Sequence, residues 1–358
     1  MHANGTDPVR PSSTRQFKPL LGLSLSLGAL IWSHGAFACA TCGCSLSTDA
    51  AMGYSASSGF RVNLQYDYIN QNQLRTGTHS IAQAQVATVP GQEVENKTTN
   101  NYFTLGLSYA PDANWNFQLL IPYIDRRHST YSADPTLPLS ADQLSSAKIN
   151  SLGDIKFLTS YQGFLPTHNL GVQLGIKLPT GNYGGPDATG SGVVGRNPVY
   201  FGAAGNAGGQ ILDTSLQAGT GSTDLIVGAY YYQPVSQNFD IFANGQFQSA
   251  IKEKLDQPGA NYRPGNLATV SFGTRYEANP NIVPQLQINL SHRSADQGAL
   301  ADTTDTAGTV AYLSPGISAS ITRNMQIYGF VQVPIVSHLS GYQLFPRWTA
   351  SVGMGYSF

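Results

Sequence analysis

The 358 residues suit one large domain or two modest ones, and 41% of them are hydrophobic. Only 11% are charged, less than half of the roughly 25% usual in soluble domains, and the formal net charge is −1. That balance argues against a nucleic-acid partner, and it requires an exterior that is either very polar and uncharged or turned toward something other than water.

At the start of the chain, Arg10, Arg15 and Lys18 precede a short apolar run from Leu20 to Trp32. Ala36-Phe37-Ala38 then supplies an A-x-A cleavage site. That order reads as a secretory signal peptide over residues 1–38. The run is too short to cross a bilayer, which takes about 20 residues, and no later stretch reads as a transmembrane helix.

All three cysteines follow at once, in the stretch CATCGC. Residues 39–58 are expected to form an exported, periplasmic segment ahead of the first strand. Four readings of Cys39, Cys42 and Cys44 stay open. Cys39 is a lipid attachment point, which Ala36 and Phe37 fit poorly. Two of the three form a disulfide and leave one odd thiol. The three thiolates hold Cu(I), or Zn(II) with the α-amine of Cys39 as fourth ligand. Or the segment has no role. No other cofactor is expected.

From residue 59 to the C-terminus one pattern recurs: segments of about ten residues, alternating apolar and polar, separated by turns. In NYFTLGLSY, Phe103, Leu105, Leu107 and Tyr109 share one face. In NLGVQLGIKL, Leu170, Val172, Leu174, Ile176 and Leu178 oppose Gln173 and Lys177. In PQLQINLSHR, Leu286, Ile288 and Leu290 oppose Gln285, Gln287 and Asn289. Period 2 means strands, and about twelve are expected. Residues 138–148 are expected to form one short helix in a loop.

The connections alternate between short turns, such as Pro111 to Asn114, and long loops at 70–98, 126–151, 179–221, 251–265, 294–308 and 336–345. This predicts an all-β, antiparallel transmembrane barrel of about twelve strands over residues 59–358 in the bacterial outer membrane. A soluble β-sandwich would alternate similarly. Low charge disfavours it, as do aromatics at the strand ends (Tyr66, Tyr68, Tyr109, Trp115, Tyr123, Trp348 and Tyr356), placed as interfacial girdles. The terminal Phe358, with Tyr356, Met354 and Val352 alternating before it, resembles the signal read by the barrel-assembly machinery.

With the apolar faces toward lipid, the interior would carry Arg61, Asp67, Asp154, Lys156, Lys177, Asp224, Asp240, Arg275 and Arg293. Mixed signs favour internal ion pairs that brace the barrel over a single-sign ring selecting ions. Tyr102, Tyr230, Tyr232, Phe242, Tyr328 and Phe330 would fill a narrow interior or stack on a solute. The Gly-rich loop 179–221 lacks the Gly-Lys-Ser/Thr of a phosphate loop; it either folds into the mouth or forms a mobile surface loop. Ser291 and His292 are adjacent and so point to opposite faces, which argues against a hydrolase. Asp302 and Asp305 lack calcium-ligand spacing.

Three phrases carry a resemblance: SLGDIKFLTSY at 151–161, GVQLGIKLPTG at 171–181 and LQAGTGSTDLIVGAYY at 216–231. With the terminal Phe, they resemble the outer-membrane transporters linked to the meta-cleavage pathway of phenol degradation. That family is similar in outline to hydrophobic-compound channels of the fatty-acid transporter type. The resemblance implies a channel for small apolar or aromatic solutes, and says nothing about CATCGC. The alternatives are a metal- or redox-linked barrel whose cysteine segment meets a periplasmic metal or redox protein, and a structural or adhesive barrel without a pore.

Overall fold

The computed structural model describes residues 58–131 and 136–358. The signal-peptide reading and the cysteine segment with Cys39, Cys42 and Cys44 lie outside the described residues. No described helix is long and apolar enough to cross a membrane.

Twelve strands of six or more residues are present: β1 (Gly59–Gly77), β2 (Glu95–Ala110), β3 (Trp115–Thr130), β4 (Ser145–Leu152), β5 (Lys156–Tyr161), β6 (Leu170–Lys177), β7 (Ser222–Pro234), β8 (Phe239–Glu253), β9 (Leu267–Tyr276), β10 (Ile282–Arg293), β11 (Gly308–Ser320) and β12 (Met325–Ser357). All except β4 form the wall. They pair antiparallel in chain order, and β12 returns to β1 with Arg61 opposite Ser357, so the sheet closes. Closure leaves no free edge in the lipid.

The eleventh wall element, β12, is 33 residues long and doubles back on itself. The Ser357 N–H donates to the Asn324 carbonyl at 2.8 Å, and Asn324 Nδ2 donates to the Ser357 carbonyl at 2.8 Å, so its two ends lie side by side. Gly341, at φ +51°, takes the left-handed conformation needed at the fold-back. Counted as two arms, β12 brings the wall to twelve crossings. The loop expected at 336–345 is therefore a tight turn with strand on either side.

The same rim differs from the expectation at a second place. The helix expected at 138–148 is a single 3₁₀ turn, Ala141–Gln143, leading into β4. β4 pairs with the outer half of β3, Tyr123 to Thr130, and with no other strand. The inner half of β3, Trp115 to Leu120, pairs with β5 instead. The far edge of β4 is met by residues of loop 178–221: the Gly202 N–H donates to the Ser146 carbonyl at 2.7 Å and the Ala207 N–H to Ser145 Oγ at 2.9 Å.

The alternation has the sense of a membrane protein. In β10, Ile282, Leu286, Ile288 and Leu290 are exposed, while Gln285, Gln287 and Asn289 are buried. Leu174, Ile288 and Val352 are about half exposed. An apolar exterior over a polar interior cannot be solvated by water but matches hydrocarbon. Aromatic contacts collect near both ends of the wall: Phe60 with Phe358, Trp115 with Tyr161 and Phe239 with Tyr276 at the short-turn end, Tyr66 with Phe103 and Tyr68 with Trp348 farther up. The short turns face the periplasm in such barrels.

Candidate functional site: the barrel interior and its inward loop

Four inward aromatics lie against the wall. A Cβ built on Gly171, Gly273, Gly316 or Gly353 would fall 2.0–2.5 Å from the ring of Tyr230, Phe242, Phe330 or Tyr328, respectively. Three of these pairs are direct cross-strand partners in the ladder. Each ring lies over a position without a side chain, which lets large residues share a narrow interior and stiffens the curved sheet.

Most of the interior's polarity is uncharged. Gln65, Gln71, Asn100, Gln285, Gln287, Asn289 and Gln332 are all buried. All but Gln287 are cross-linked, by bonds such as Asn100 Nδ2 to Gln71 Oε1 at 3.0 Å, Gln285 Nε2 to Ser318 Oγ at 3.1 Å and Tyr328 Oη to Gln65 Oε1 at 2.7 Å. A polar interior in low dielectric is stable only when so satisfied.

The expected interior charges divide into groups. Asp154, Lys177 and Asp224 come together: Lys177 Nζ lies 3.2 Å from Asp154 Oδ2 and 3.0 Å from Asp224 Oδ2, all three nearly inaccessible. Lys156 approaches the group through Gln248, which accepts from its Nζ at 3.1 Å and donates to Asp224 Oδ2 at 2.6 Å. Asp240 and Arg275 are opposite each other in register, and Arg275 pairs with Glu277 at 3.0 Å. The others stand apart. Asp67 accepts from Gln65 Nε2 at 2.9 and 3.0 Å and from Ser351 Oγ at 2.5 Å. Arg61 reaches Ser357 Oγ at 3.4 Å, and Arg293 pairs with Asp296 at 2.7 Å.

The Asp154 group joins the three phrases GDI, KLPTG and GTGSTD, which lie far apart in sequence. Asp154 accepts from the Gly181 N–H at 3.0 Å, where the inward loop begins, and from the Thr220 N–H at 3.0 Å, where it ends. Gly181 and Gly219 touch back to back: a Cβ on Gly181 would lie 2.8 Å from Gly219 Cα, and one on Gly219 would lie 2.6 Å from Asp154 Oδ1. Only glycine allows this crossing. The assembly is a clasp closing the neck of loop 178–221.

Beyond the clasp the loop enters the barrel. Phe201, Leu212, Leu216 and Ala218 join Leu74, Ile124, Ile149 and Leu344 of the strands and Val86 and Val94 of loop 78–94 in one buried apolar cluster. Arg126, 4% exposed, pins the loop to the wall. Its Nη1 donates to the Leu216 carbonyl, while Nε donates to Asn100 Oδ1 at 2.5 Å and Nη2 to the Tyr102 hydroxyl at 2.7 Å. The sequence reading missed Arg126 because it placed residue 126 in a loop; its shared parity with Ile124 and His128 was the available signal. Beside this assembly lies a cavity of about 230 Å³ lined by Ile69, Leu120, Pro122 and Ile124 on its apolar side and by Asp67, Tyr102, Thr104, Asp154 and Lys156 on its polar side.

No protein-family profile and no curated protein matches the chain. Solved structures do. The crystal structure of the COG4313 outer membrane channel from Pseudomonas putida F1 aligns over 88% of this chain and 100% of that one, with TM-score 0.59 at 12% identity. The CymD monoaromatic hydrocarbon channel (12% identity, 87% and 93% covered) and the β domain of the Bordetella autotransporter BrkA (9%, 84% and 100% covered) score 0.43 and 0.45. The first of these, at such identity, is a likeness of fold, and with the apolar belt and closed sheet described above it identifies the chain as an outer-membrane β-barrel.

Proposed function

We propose that this barrel is a channel for small apolar or aromatic solutes. The observation that supports it best is the cavity beside the inward loop: Ile69, Leu120, Pro122 and Ile124 give it an apolar side inside a wall whose interior carries many buried amides and hydroxyls. An apolar surface in that setting binds solutes that water rejects. The inward loop adds a packed apolar cluster around Phe201 and Leu216, which shares Ile124 with the cavity. Most of the interior's polarity is uncharged, and the clasp sets its lysine between two carboxylates, which leaves an ion few favourable stations. The experiment is permeation into proteoliposomes, comparing a monoaromatic hydrocarbon with a zwitterion of equal size. The hydrocarbon is expected to enter faster than in protein-free vesicles, and the zwitterion is not. Equal rates with and without protein would refute the reading.

A further inference from the structure

Three neighbouring loops at the long-loop rim carry four carboxylates, and Leu212, beside Asp213, packs in the same cluster as Val94, beside Glu93. Glu93 lies in loop 78–94, Asp213 in the inward loop, and Asp302 and Asp305 in loop 294–307. Asp213 interacts electrostatically with Glu93 and Asp302, and Glu93 with Asp302 and Asp305. Gln92 Nε2 donates to Asp305 Oδ2 at 2.7 Å, tying the first loop to the third. The Tyr342 N–H donates to Asp305 Oδ1 at 3.2 Å, tying both to the β12 fold-back.

Two buried oxygens of this cluster have no hydrogen-bond partner. One is Oδ2 of Asp302, a residue 9% exposed, whose carboxylate bonds from Thr304 and Asp305 all go to Oδ1. The other is Oε1 of the fully buried Glu95, at the top of β2. A buried carboxylate oxygen without a donor calls for a proton or a cation. Among the described residues no three acidic, His or Cys groups are placed to hold a metal ion, which favours the proton.

The surrounding charges do little to neutralise the cluster. His128 Nδ1 stands 3.9 Å from Glu95 Oε1 but hydrogen-bonds Thr98 Oγ1 at 2.8 Å. Arg126 is engaged by Leu216, Asn100 and Tyr102. Arg293 is paired with Asp296, which adds a further negative charge near Asp302.

We propose that protons held by Glu93, Asp213, Asp302 and Asp305 keep the inward loop seated, and that losing them, as the outside pH rises from acidic to neutral, loosens the loop and widens the channel. Burial, reinforced by mutual repulsion, pushes Glu93 up to about 7 and Asp305 to about 6, and raises Asp213 and Asp302. The sign follows from these directions. The seated state holds the protons more tightly than a released, solvated loop. It is fully favoured below the ordinary carboxylate range near 4, and it loses that advantage as pH rises through about 6 to 7. A group raised by about two pH units biases the equilibrium roughly a hundredfold across this window.

The test is single-channel conductance of the whole protein in planar bilayers, in EDTA, with pH on the long-loop side stepped from 4 to 8. Mean conductance is expected to rise at least severalfold between about pH 5 and 7. Asp213→Asn, which puts an uncharged group on the moving loop, should hold conductance low throughout. Asp305→Asn, on the loop tied to the β12 fold-back, should shift the midpoint while leaving a response. Heat-modifiable migration checks that each variant is folded. A flat wild-type profile, a full response in Asp213→Asn, or a response that appears only with added Ca²⁺ would overturn the proposal. A barrel that conducts but is flat leaves the channel reading intact; one that passes neither ions nor hydrocarbon removes both.

Discussion

Replacing Lys177 by Met tests whether the clasp holds the inward loop. The ammonium is nearly buried between Asp154 at 3.2 Å and Asp224 at 3.0 Å, so its removal leaves two carboxylates facing each other without a counter-charge. Breaking a buried pair in this way costs about 3–5 kcal/mol. At about 1.4 kcal/mol per tenfold, the ratio of seated to released loop falls by roughly two to three and a half orders of magnitude. The bonds Asp154 accepts from Gly181 and Thr220 are strained in the same step, because Asp154 and Asp224 then repel each other. Arg196, exposed in this loop and donating to the carbonyls of Pro179, Thr180 and Gly181, reports the change through trypsin cleavage. Lys177→Met should be cut after Arg196 at least tenfold faster than the parent and show larger single-channel conductance. Asp154→Asn should move both readouts the same way by less, since the amide keeps one acceptor oxygen. It also serves if Lys177→Met fails to assemble, because residue 154 lies outside the strand ladder. Parental cleavage rate and conductance in a folded Lys177→Met barrel would refute the clasp.

Leu174→Arg, on the lipid face, should cost about 2–4 kcal/mol and impair assembly, whereas Gln173→Arg, facing inward, should assemble; equal yields of heat-modifiable protein would contradict the face assignment. Gly353→Ala drives a methyl into the Tyr328 ring, 2.2 Å from the built Cβ, and should lower the unfolding midpoint by an amount corresponding to about 1–3 kcal/mol. Pairing it with Tyr328→Ala should remove most of that penalty, and an undiminished penalty in the double variant would show that the ring is not its source. Deleting Phe358, whose N–H donates to the Phe60 carbonyl at 2.9 Å, should reduce insertion by the assembly machinery; undiminished insertion in cells would show that the terminal residue is not read.

The parts legible in the sequence were those imposed by a two-faced wall. Alternation in PQLQINLSHR specifies β10 because each of its residues meets either lipid or interior. It fails where the wall rises past the lipid. The residues of β3 after Tyr123, and β4 as far as Asn150, have polar outer faces, so they resembled loop. The Ser340–Gly341 fold-back was hidden for the same reason. Among the site residues, Asp154, Lys177 and Asp224 were each expected inside, but nothing in their spacing shows that they meet. Asp302 and Asp305 stood out as a sequence pair, while Glu93 and Asp213 belong to other loops and join them only through tertiary folding. The four aromatic–glycine contacts show as alternating large and small residues only when neighbouring strands are set in register.

The one-sided pairing of β4 has a bearing on depth. A strand edge met only by loop atoms cannot face hydrocarbon, where every backbone group must be satisfied within the protein. The hydrocarbon layer therefore stops at or below the level where β4 begins to pair with β3, at Tyr123 opposite Leu152. Above that level the barrel stands as a collar in the headgroup layer, wetted on its outer side. The turn of the inward loop that carries Asp213, and the loops bearing Glu93, Asp302 and Asp305, belong to this collar. Their protons exchange with the medium outside the cell rather than with the periplasm, so the acidity that counts for them is that of the surroundings from which the solute arrives.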